Sequence, residues 1–190
     1  MWLLFRHKYA YLEKTSSPFA GLPGHPRRAF CIPEAAVVAS PAFERILLFL
    51  AAALMESLGI RVAVCTEPEY STLEGFVLAP GQRAVIANWV RSEAIWHVDT
   101  TARHSLLSAF ADAAGHVSAH SAIEAADPTG RLVALASYLG LDWRWIRRRC
   151  RELSPHGCRG FARPRSRLLS VSGIDAACQY VAALDGEDRD

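Results

Sequence analysis

Apolar residues recur at helical spacing between residues 41 and 58, at Phe43, Ile46, Leu47, Leu50, Leu54 and Leu58. Ser40-Pro41 opens this stretch, Ser as a good N-cap and Pro as a good first helical residue, and Gly59 closes it. So few of its positions are polar that burial on more than one side is expected, with a dimer interface as the other use for so much apolar surface. Residues 60–65 read as a strand. Residues 67–81, broken by Pro68, Gly75, Pro80 and Gly81, read as a connection with one helical turn near Tyr70. The β-rich runs 83–90 and 94–99 flank Arg91-Ser92-Glu93 and predict a hairpin. Thr100 or Thr101 is expected to cap a helix that Gly115 stops, with a further helix or helical turn over 116–126. Residues 1–30 have no period and hold three prolines and two glycines, so a loosely ordered arm is expected there.

The clearest pattern follows Asp127-Pro128, itself a helix start. In the stretch from Leu132 to Arg151, Ala136 is a small residue where two helices can touch. Gly140 suits a tight turn, Asp142 a second N-cap, and Ile146 the buried side of a second helix. Leu135, Leu139 and Leu141 fill flanking apolar positions. This spacing resembles the helix-turn-helix family over about twenty residues. One position departs: the usual late apolar site of the second helix is Arg149, and Trp143, Ile146, Cys150 and Leu153 close the core instead. That register puts Arg144, Arg147, Arg148 and Arg151 on one outward face, suited to the major groove.

Charge is concentrated in the same region. Net charge is only +2 over 190 residues, but ten arginines face Asp142 and Glu152 between positions 131 and 167. Such a basic block in a near-neutral chain is the footprint of a phosphate-facing surface. After Arg151-Glu152-Leu153 come Arg163, Arg165 and Arg167, then Leu169-Ser170-Val171-Ser172-Gly173. This tail is similar to that of winged helix-turn-helix regulators of the MarR type, where a basic hairpin and a Ser/Thr-x-x-Gly cap lead into a closing helix. The resemblance spans about residues 128–182. It implies that Arg163, Arg165 and Arg167 form a wing on the backbone or minor groove.

The expected organisation is α+β: an arm over 1–30, an α/β unit with a hairpin over 31–126 for sensing or dimerisation, a winged helix-turn-helix over 127–182, and an acidic tail over 183–190. The expected function is a DNA-binding transcriptional regulator. Its expected partners are double-stranded DNA, a second copy of the chain as homodimer, and a small-molecule effector seated near Trp89 and Trp96. A protein-interaction scaffold on the same fold is the alternative. No cofactor is implied. His97, Asp99, His104, His116 and His120 raise a metal-dependent enzyme as the third reading, although no H-E-x-x-H, G-x-S-x-G or phosphate-loop signature accompanies them.

The composition is that of a globular chain, 51% hydrophobic and 21% charged. The five cysteines are odd in number and form no C-x-x-C pair. That argues against a disulfide framework or zinc ribbon and for a reducing, cytoplasmic compartment. Cys150, among arginines, is a candidate thiol switch or an inert packed residue. The N-terminal Met-Trp-Leu-Leu-Phe is broken by Arg6, His7 and Lys8, unlike a signal peptide, and the apolar run 46–54 is too short to span a bilayer.

Overall fold

The computed structural model describes residues 26–87, 97–158 and 170–184. Strands β1 (Arg27–Cys31) and β2 (Arg61–Cys65) pair in parallel, Arg27 opposite Arg61 through Cys31 opposite Cys65. A parallel pair needs a crossover, supplied here by α1 (Glu34–Ala39) and α2 (Ala42–Ser57). The arm expected to reach residue 30 thus gives way to a strand, one whose ladder partner among the described residues lies beyond two helices. Ser40, expected to cap α2, instead closes α1. Its Oγ donates to Ala36 O at 2.7 Å and its N–H to Val37 O, which leaves Pro41 at the N-cap position of α2.

A single-turn 3₁₀ helix (Pro68–Thr72) leads into β3 (Gly75–Ala79), β4 (Arg83–Ala87) and β5 (Val98–Thr101), an antiparallel sheet in sequence order. The β4–β5 pair is the expected hairpin, and its tip, with Trp89 and Trp96, lies outside the described residues. The β3–β4 hairpin was not expected from the sequence, where glycines and prolines mask β3. It turns at Gly81, whose φ of +69° suits glycine.

Four more helices follow among the described residues: α3 (His104–Ala119), α4 (Pro128–Tyr138), α5 (Trp143–Leu153) and α6 (Val171–Ala183). Helix α3 runs straight through Gly115, the expected stop. A mid-helix glycine costs only about 1 kcal/mol relative to alanine. Beyond it Val117 is buried against Ala63 and Cys65, and at the other end Phe110 packs on Phe76 at 4.5 Å.

The fold is mixed α+β with small sheets, and its main core lies around α2. Residues 48–56 are buried without interruption because α2 meets α6, α4 and β2 on different sides. Ala51, Ala52 and Ala53 let these neighbours approach closely. The apolar surface of α2 is therefore covered within the chain, Phe43 excepted. One continuous core cluster runs from Ile32 to Val181, across the boundary expected at 126/127.

That cluster encloses an ion pair. Arg131 and Glu56 are both about 6% exposed, and the guanidinium meets the carboxylate through two hydrogen bonds, Nε to Oε1 at 2.9 Å and Nη2 to Oε2 at 2.7 Å. Oε1 also accepts from Val62 N–H, and Arg131 Nη1 donates to Ala125 O and Ala126 O. The pair ties the end of α2, the start of β2 and the start of α4 together. The hydrogen bonds to Glu56 push the Arg131 pKa upward, so the arginine is charged throughout. Among the described residues no helix is long and apolar enough to cross a membrane.

Candidate nucleic-acid interface

Helices α4 and α5 are set by local chemistry. Asp127 caps α4 by accepting from Gly130 N–H at 2.8 Å, and Asp142 caps α5 by accepting from Trp145 N–H at 3.1 Å. Between them Leu141 N–H bonds to Ala136 O and Gly140 N–H to Ser137 O, a Schellman closure. Gly140 sits at φ +61°. Ala136 and Leu139 are fully buried at the elbow, and Ile146 is 2% exposed.

Arg45 on α2 completes the turn by donating from Nη1 to Leu139 O at 2.7 Å. This residue escaped the sequence reading. Its signal was weak: a lone cation in the apolar stretch 42–55. A Cβ on Gly140 would lie 3.0 Å from Arg45 Nη1. Gly140→Ala is therefore expected to lower stability by about 1–2 kcal/mol from backbone strain alone, read as a fall in Tm.

The buried side of α5 is Trp143, Ile146, Cys150 and Leu153, as the sequence suggested. Trp143 meets the edge of Phe49 on α2 at 6.1 Å between ring centroids. Arg149, at the position where the sequence expectation had an apolar residue, points outward. It bonds Glu152 at 2.6 Å and lies over the Trp145 ring.

Of the four arginines expected on the outward face, Arg144, Arg148 and Arg151 are exposed, at positions i, i+4 and i+7. Arg147 is not among them. It is 5% exposed, and its Nη2 donates to Leu184 O, the C-cap carbonyl of α6. A cation is favoured there because the helix end is electronegative. Arg147 holds α5 against the end of α6, and with Arg144, Arg148 and Arg151 it lines a shallow cleft of about 230 Å³. Among the described residues, those lining the cleft are all arginines. Arg131, counted in the basic block, is absent from this surface because it is paired with Glu56. Arg163, Arg165 and Arg167 lie outside the described residues, whereas Ser170 caps α6 by accepting from Gly173 N–H, as the Ser-x-x-Gly pattern suggested.

The histidines form a different arrangement. His116 Nε2 meets both oxygens of Glu67 at 3.0 and 3.1 Å, and its ring stacks between Tyr70 and His120. His104 begins α3, and Asp99 accepts from Thr100 N–H. Among the described residues no three His, Cys, Asp or Glu side chains gather as a metal-holding group.

Comparison of the chain with protein-family models, curated proteins and solved structures found no match.

Proposed function

We propose that this protein is a DNA-binding regulator in which α4 and α5 act as a helix-turn-helix, with α5 laid in the major groove. The observation that carries this reading is the arginine-lined face of α5, on a helix fixed by Trp143, Ile146, Cys150 and Leu153. Guanidinium groups presented along one helix face suit a polyanion. Arg144, Arg148 and Arg151 contact phosphates and base edges. Arg147 braces the helix. Arg163, Arg165 and Arg167 extend the contact as a basic wing, and a second copy of the chain doubles it across paired half-sites.

The test is fluorescence anisotropy with genomic and random duplexes. With all three arginines on phosphates the log–log salt slope is about −2.7, so affinity falls about fortyfold between about 50 and 200 mM salt, and each arginine on a base edge instead makes it shallower by about 0.9. A wing in contact steepens the slope. Salt-independent binding, or none, overturns the reading, and equal affinity for random duplexes removes sequence-specific regulation. A protein partner that binds equally well to Arg148→Glu would favour the scaffold alternative.

A further inference from the structure

Cys31 and Cys65 are the last residues of β1 and β2 and stand directly opposite one another in the parallel ladder. Facing residues on neighbouring strands lie roughly 4.7–4.9 Å apart, within the roughly 4.4–6.8 Å between Cα atoms that a disulfide spans. Register partners in a parallel pair project to the same side of the ribbon, so the two side chains share a face. Both thiols are free. Cys65 is buried and Cys31 is half-buried, so only Cys31 is open to a reagent from solvent. Cys31 Sγ donates to Glu67 O at 3.2 Å, which holds it beside Cys65. The same corner touches α4. Ile32 N–H donates to Cys65 O at 2.8 Å, and Tyr138 OH donates to Ile32 O.

We propose that Cys31 and Cys65 are a dithiol modification site that closes to a cross-strand disulfide on reaction with a low-molecular-weight disulfide such as oxidised glutathione, clamping β1 to β2 beside the end of α4. In the first step the Cys31 thiolate attacks one sulfur of oxidised glutathione. A Cys31–glutathione disulfide forms and one glutathione thiolate leaves. In the second step the Cys65 thiolate attacks Cys31 Sγ, the Cys31–Cys65 bond forms, and the second glutathione thiolate leaves. The two protons released by the protein thiols are taken up by the two glutathione thiolates. The protein gives up two electrons and oxidised glutathione gains them.

Burial, and the neighbouring Cys65 and Glu67, push the Cys31 thiol up to about 11. The thiolate is therefore scarce at neutral pH, and closure is slow there and quickens about tenfold for each pH unit up to that value. Cys150, Cys158 and Cys178 make an internal comparison. Each is at most 3% exposed and packed in the main core, closed to the reagent unless the core opens.

The experiment treats folded, full-length protein with oxidised glutathione at pH 7 and pH 9. Free thiols are then alkylated after denaturation, and the chain is cleaved with trypsin. Cleavage after Arg28, Arg45, Arg61 and Arg83 places Cys31 and Cys65 in separate peptides. The expected product is one cross-linked pair, residues 29–45 joined to 62–83, with a mass loss of about 2 Da and no retained glutathione. Cys150, Cys158 and Cys178 are alkylated. The oxidised protein has a higher Tm than the reduced one. Cys65→Ser, checked for fold by circular dichroism, is expected to stop at a stable glutathione adduct on Cys31 and to show no rise in Tm. Three outcomes overturn the proposal: no cross-link, a lasting glutathione adduct on the wild-type Cys31, or bridges among Cys150, Cys158 and Cys178 in place of Cys31–Cys65. The bridge forms or fails irrespective of what α5 binds.

Discussion

Arg131→Met is expected to lower the free energy of unfolding by about 3–5 kcal/mol, because it leaves the Glu56 carboxylate buried without its cation. The methionine covers much of the same apolar volume, so the loss reports the charge rather than a cavity. Glu56 would retain only the Val62 N–H among its three hydrogen bonds, and Ala125 O and Ala126 O would lose their donor. Adding Glu56→Gln removes the stranded charge while keeping an acceptor for Val62. The double variant is therefore expected to recover at least half of the loss. Urea unfolding with shared slopes measures both. A single-variant loss below about 1 kcal/mol, the scale of a solvent-exposed pair, would mean that water reaches Glu56 and that the pair does not join α2, β2 and α4 as described.

That ion pair also marks the limit of what could be read along the chain. Asp127, Asp142 and Ser170 each bond a backbone N–H three residues on, so their caps were legible in a short window. The Gly140 turn was legible for the same reason: a Schellman closure is confined to six residues. Arg131 and Glu56 lie 75 positions apart, and nothing near either one announces the other. β1 was missed because a five-residue strand is specified by its partner, β2, rather than by its own pattern. The stop at Gly115 failed because Val117 finds a buried site beyond it. On α5, helical periodicity separated apolar from polar positions correctly but could not rank arginines. Arg147 read as an outward residue and Arg149 as a departure at a usually apolar site, yet Arg147 is the enclosed one because of where the α6 carboxyl end lies.

This distinction divides the arginines of α5 into two groups with opposite expected phenotypes. Arg148→Ala is expected to leave stability within about 0.5 kcal/mol of the parent, as for an exposed substitution. If Arg148 reads a base, affinity for the preferred duplex falls by about 1–3 kcal/mol and discrimination at one position relaxes. If it meets a phosphate, affinity falls alike for all sequences and the salt slope becomes shallower by about 1. Replacing Arg144, Arg148 and Arg151 together by Ala should remove most of the salt dependence that α5 supplies while Tm is held. Arg147→Ala is expected to behave in the reverse way. It deprives the half-buried Leu184 carbonyl of its Arg147 donor and loosens α5 from α6, costing about 1–3 kcal/mol of stability, with weaker DNA association following only from the displaced helix. Measuring Tm and anisotropy on these three variants separates the two roles. A stable Arg147→Ala protein with a shallower salt slope would place Arg147 on the DNA. A destabilised Arg148→Ala protein with unchanged affinity would mean that the outward face of α5 braces the fold and binds nothing, and the DNA-binding proposal would fall with it.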